Sequence, residues 1–117
     1  MQELRELTLQ LISLTEKMMD EYKRRRSTGE KGDFYSEVKP FADEVKAIND
    51  KWKQQSLIWI NKYHPKNLHA PQIENTSDNI EMLSVHCFFP ESSYNRFISH
   101  YQSVIYVLGT ERDLLTL

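Results

Sequence analysis

VKPFADEVKAINDKWKQQSLIWI, residues 38–60, is the longest stretch of the chain whose apolar residues recur at helical spacing, and both tryptophans lie in it. Val38, Phe41, Val45, Ile48, Trp52 and Trp59 follow a three-then-four rhythm, which lines one stripe of a helix and requires other helices to bury it. The rest of the chain supplies such partners on both sides.

Upstream, Leu4, Leu7, Leu11, Leu14 and Met18 predict a first helix over residues 2–26, with Glu3 and Glu6 near its start and Lys23–Arg26 near its end, where each sign suits the helix dipole. STGEKG, residues 27–32, reads as a loop. Asp33 is the expected N-cap of the second helix, and Pro40 should kink or break that helix, because it lacks a donor and clashes with the preceding turn. Unbroken from Phe34 to Lys62, it would run about 43 Å. Tyr63-His64-Pro65 ends it.

Downstream, Lys66–Ala70 reads as a polar loop and Pro71 as the first residue of a third helix, with the stripe Ile73, Thr76, Ile80, Leu83 and Cys87. Phe88-Phe89-Pro90 closes it. Ser92 or Ser93 caps a fourth helix with the stripe Tyr94, Phe97, Tyr101, Val104 and Leu108, which Gly109 ends or weakens. The expected fold is all-α: one domain, an antiparallel up-down-up-down four-helix bundle over residues 1–117 with its second helix bent or broken near Pro40. A dimer that swaps helices across a two-fold axis uses the same pattern.

Composition agrees. The 117 residues are 39% hydrophobic and 27% charged, with three glycines and four prolines, enough for a core without metal or disulfide staples. The net charge of −2 provides no global basic field, so nucleic acid would have only a local patch to bind. Cys87, the single cysteine, cannot form an intramolecular bridge and reads as a small buried hydrophobe in a reducing cytoplasm. The N-terminus lacks a basic region followed by an unbroken apolar run, and no later run approaches a membrane span. The expectation is a cytoplasmic protein without a membrane anchor.

Chemistry-bearing patterns are sparse. A di-iron bundle needs Glu-x-x-His on two helices, and that pattern does not occur. His64 and His69 flank a loop, while antiparallel pairing of helices three and four sets His86 near Arg96 rather than His100, which disfavours a convergent metal site. Glu3, Glu6, Glu30 and Asp33 match an all-α nucleotide pyrophosphohydrolase spacing, but a helix of roughly 30 Å separates the pairs. Neighbours His86 and Cys87 point about 100° apart on a helix and make no nucleophile pair. The expectation is therefore no enzyme, no cofactor, no metal and no catalytic residue.

Two surfaces remain as candidates. Lys23, Arg24, Arg25 and Arg26, with Arg96, form a candidate anion site at a bundle end that also gathers Tyr22, Phe34, Tyr35, Phe88, Phe89 and Tyr94, or they are simply dipole-complementing residues on a solvated helix end. Leu57, Ile58, Trp59 and Ile60 are apolar over more than a helical turn, so some of that area lies under the 64–71 loop or meets a protein partner, which includes a homodimer. The leading reading is a non-enzymatic interaction module. The alternative is a nucleotide or polyanion binder at the basic, aromatic end.

Asp33-Phe34, Val38–Val45, Trp52, Trp59-Ile60, Pro65-Lys66, His69, Gln72-Ile73, Asn79, Ser84-Val85, Phe88-Phe89, Arg96-Phe97 and Ser103-Val104 together resemble the YppE-like family of small uncharacterised proteins from Bacillus-type bacteria, with VKPFADEV the most specific block. The resemblance implies an all-α bundle and a cytoplasmic protein. It implies no activity and transfers no catalytic residue, since the family is a domain of unknown function.

Overall fold

The computed structural model describes residues 1–116. Four helices account for most of them: α1 (Gln2–Thr28), α2 (Lys39–Tyr63), α3 (Ala70–His86) and α4 (Tyr94–Leu115). Each packs against its neighbours in sequence, and α4 returns to α1, so the elements close into the expected bundle, 45 × 26 × 21 Å. Cross-helix pairs fix the antiparallel sense. Lys46 meets Glu81 while Asn49 meets Ser77 between α2 and α3, and Tyr22 stacks on Phe97 while Thr8 meets Glu111 between α1 and α4.

The second helix is not broken at Pro40; its path runs on from Phe34 into α2, but the turn just ahead of Pro40 is widened. Asp33 caps the segment, its Oδ2 accepting the Ser36 N–H at 2.9 Å, and Phe34–Val38 then forms a single π turn, with the Val38 N–H donating to Asp33 O at 3.0 Å. Widening the turn by one residue places Pro40 in the first turn of α2, where a missing N–H leaves no bond unmade. At the other end His64 takes the left-handed conformation (φ 47°), leaving the α region ahead of Pro65 as expected.

Small departures have local causes. Helix α1 runs to Thr28 and stops at Gly29, whose φ of 76° suits glycine. Helix α3 begins at Ala70, one residue before Pro71, because Gln72 Oε1 accepts the His69 N–H at 2.8 Å and caps the turn there. Gly109 lies inside α4 without ending it. The 64–69 loop is not purely polar: Leu68 is buried in the core and plugs the bundle end.

The stripes fill the interior. Leu4, Leu7, Leu11, Met18, Val45, Trp52, Ile73, Ile80, Leu83, Cys87, Phe97, Val104 and Leu108 are buried together, while Phe41, Ile48 and Tyr101 lie half-buried against them. Tyr94 departs from its stripe and is half exposed, stacked beside Tyr22 at the start of α4 with its ring centre 6.5 Å away. Among the described residues no helix is long and apolar enough to cross a membrane.

Candidate functional site

The most unusual group inside the bundle is Glu111, a fully buried carboxylate on α4. Trp52 Nε1 donates to its Oε1 at 2.6 Å and Ser56 Oγ to its Oε2 at 2.7 Å, both from α2, while Thr8 Oγ1 of α1 lies 3.4 Å from Oε1. The Thr8 hydroxyl also donates to Leu4 O at 2.8 Å, so its longer contact with Glu111 is the weakest of the three. Burial raises the Glu111 pKa, against the opposing effect of its three hydrogen-bonding neighbours. One side chain thus ties α4 to α1 and α2. It is enclosed on every side and faces no cleft, so its task is structural. The sequence reading missed it, although Val104, Leu108 and Glu111 continue the α4 stripe at four and three residues.

The basic run does not act as a unit. Lys23 and Arg24 are exposed, and Arg24 pairs with Glu21. Arg25, 4% exposed, points inward: its Nε meets Glu21 Oε2 at 3.0 Å, its Nη2 meets Glu37 Oε2 at 2.5 Å, and its guanidinium lies 5.6 Å from the centre of the Phe88 ring. The reason is register, since Arg25 follows Met18 and Tyr22 on the buried stripe. Arg26 Nη1 donates to Pro90 O at 3.0 Å and Ser92 O at 3.3 Å, with its guanidinium over the Tyr22 and Tyr94 rings. Both arginines are therefore held by contacts within the fold, which leaves Lys23 and Arg24 as the exposed cations of the candidate anion site. The aromatics of this end divide similarly: Tyr22 and Phe88 are core, whereas Phe34, Tyr35 and Tyr94 remain exposed.

Arg96 lies elsewhere, on an outer groove between α3 and α4. The groove holds about 290 Å³ and is lined by Met82, His86, Ser92, Ser93, Arg96 and His100 over a floor of Leu83 and Phe97. His86 lines the same groove as Arg96, and His100 lines it too, because Arg96 and His100 stand one turn apart on the same face of α4. Among the described residues no group of three or more His, Cys, Asp and Glu could hold a metal. Cys87 is buried, and burial pushes its thiol up to about 12.

At the opposite end the apolar run splits by face. Trp59 is buried at 8% exposure, and Leu57 and Ile60 lie half-buried against the core, but Ile58 is 61% exposed. Around it a shallow groove of about 250 Å³ is lined by Met1, Leu4, Gln55, Ile58, Trp59, Lys62 and Tyr63, with Met1 and Tyr63 also more than half exposed. Glu3 is held by the Gln55 amide at 2.9 Å. Lys62 lies 5.2 Å from the Tyr63 ring centre and, among the described residues, pairs with no carboxylate.

Comparison with known proteins places this geometry among similar bundles. The family model of a bacterial domain of unknown function, DUF1798, matches residues 8–113. The uncharacterised protein YppE of Bacillus subtilis is 30% identical over 112 residues, 96% of this chain and 91% of that protein, and its crystal structure matches with a TM-score of 0.91. A crystal structure of a Listeria innocua protein of unknown function is 36% identical with a TM-score of 0.94, covering 98% of this chain and 92% of that one. A Staphylococcus aureus DUF1798 domain is 27% identical with a TM-score of 0.87, covering 96% and 95%.

Proposed function

The chain belongs to the DUF1798 family, bacterial domains of unknown function, and we propose that it works as a non-enzymatic interaction module, docking a protein partner on the Ile58 face. The observation that carries this reading is the exposure of Ile58 beside a groove whose floor, Leu4 and Trp59, is itself core. Burial of Ile58 by a partner removes apolar surface from water, worth roughly 1.5–3 kcal/mol for a whole side chain. Three other reactive groups are spent on the fold: Glu111 and Arg25 are buried and bonded, and Cys87 is held as a thiol.

The groove also specifies its occupant. At about 250 Å³ it takes one or two side chains. Lys62 at the rim pairs with no carboxylate among the described residues. The fitting partner is a segment with a large apolar side chain next to an aspartate or glutamate, on a cytoplasmic protein, the compartment that the lone free cysteine suits.

Selection of displayed random peptides against the intact protein tests this. Enriched sequences should pair an apolar residue with an acidic neighbour and lose binding to Ile58→Glu, a variant that keeps its helical circular dichroism. Enrichment that survives Ile58→Glu overturns the reading. So does concentration-dependent self-association abolished by Ile58→Glu, which would make the occupant a second copy.

A further inference from the structure

We infer that the groove between the C-terminal end of α3 and the N-terminal end of α4 binds a small phosphate-bearing anion through Arg96, His86 and His100. This site is separate from the Ile58 face.

Three nitrogen-bearing side chains from two helices line one groove of about 290 Å³, and no carboxylate lines it with them. The fold uses none of the three. Arg25 and Arg26 each make several hydrogen bonds inside the molecule, whereas among the described residues the side chains of Arg96, His86 and His100 make no hydrogen bond or ion pair with the protein. The carboxylates of Glu91 and Glu81 pair with lysines instead, Glu91 with Lys31 at 3.4 Å and Glu81 with Lys46 at 3.6 Å, a lysine that also meets Asp50 at 3.3 Å.

The chemistry of the three groups selects phosphate. A guanidinium presents a planar fork that matches two oxygens of a tetrahedral anion, and an imidazole donates one or two N–H groups according to its protonation. The hydroxyls on the rim are already oriented. Ser92 Oγ donates to His86 O at 3.3 Å and Ser93 Oγ accepts the Arg96 N–H at 3.4 Å, which fixes the loop relative to both helices. The α4 dipole adds a favourable field at the same edge. A volume of about 290 Å³ is at the small end for ligand sites. It suits a phosphate with a few-atom organic portion against Met82.

The test is a ¹H–¹⁵N titration of the full chain with sodium phosphate and, separately, glycerol 3-phosphate, at constant ionic strength with chloride as control. Saturable shifts at residues 94–96, His86 and His100 are expected. Arg96→Gln should weaken binding at least about ten-fold, the loss of one charge-assisted bond, with an unchanged melting temperature. Should Arg96→Gln fold poorly, His100→Gln gives the same comparison. Tighter binding of glycerol 3-phosphate identifies a phosphomonoester as the ligand class; equal binding identifies the free anion. Shifts that match chloride, fail to saturate, or persist unchanged in both variants overturn the assignment.

Discussion

Trp52 Nε1 donates to Glu111 Oε1 at 2.6 Å across the centre of the bundle, joining the middle of α2 to the last turns of α4. Ser56 one turn along α2 holds the other oxygen at 2.7 Å. Removing the acceptor would leave a buried indole N–H and a buried hydroxyl facing a void. Glu111→Ala should therefore cost about 3 kcal/mol in urea unfolding, and Glu111→Gln, which retains one acceptor, about 1–2 kcal/mol.

The same carboxyl gives stability a pH dependence. Burial raises its pKa in the folded state above the ordinary value of 4.5, so the native protein binds the extra proton between the two values. The contribution of Glu111 is then fully present below about pH 4.5 and is lost as pH rises through the raised folded value. Asp33 and Glu37 act oppositely: hydrogen bonds donated by Ser36 to Asp33 and by the Asp33 N–H to Glu37 lower their pKa values, and their contribution is lost as pH falls below the ordinary range. Denaturation across this range should show Glu111→Gln flattening the decline above pH 4.5 and leaving the acid limb in place.

Position in the helix, more than charge, decides what each arginine of the basic run is worth. Arg25→Ala breaks two ion pairs of a buried guanidinium and should cost about 2–3 kcal/mol, with faster amide exchange across the Phe34–Val38 turn that Glu37 anchors. Arg24→Ser removes an exposed pair and should stay within about 0.5 kcal/mol. Thermal melts of the two variants separate these outcomes.

Two glycines should respond with opposite signs to alanine. A Cβ at Gly32 would stand 2.8 Å from Phe88 Cβ, where the Gly32 N–H also donates to Phe88 O at 2.8 Å, so Gly32→Ala should destabilise by roughly 1–3 kcal/mol. A Cβ at Gly109 meets nothing nearer than Arg112 Nη2 at 3.7 Å, in a helix interior. Gly109→Ala should stabilise by about 0.5–1 kcal/mol.

Much of this fold is legible in the sequence because spacing survives as a signal wherever the stripe residues are apolar. Val45, Trp52, Ile80 and Val104 fall where their rhythm puts them, and Pro40 marks where the π turn gives way to the regular second helix. Legibility fails where the stripe carries a polar residue. Thr8, Thr15, Asn49, Ser56 and Glu111 are all buried, each three or four residues from an apolar member of its stripe, yet their side chains suggest a solvated face. Arg25 is lost in the same way among its charged neighbours. The candidate surfaces were legible in part: the Leu57–Ile60 run is visible, but which of its members faces outward depends on how α1 and the 64–69 loop pack over it. The convergence of His86, Arg96 and His100 depends on the turn between α3 and α4, and spacing along one helix does not encode that.

The central claim is that the Ile58 face docks the protein's partner, and amide hydrogen exchange of the intact protein with and without a selected peptide tests it most directly. Protection gained at residues 1–4 and 55–63, and absent in Ile58→Glu, is the predicted result. Protection confined to the Phe34, Tyr35 and Tyr94 end, with residues 55–63 unchanged, would contradict it.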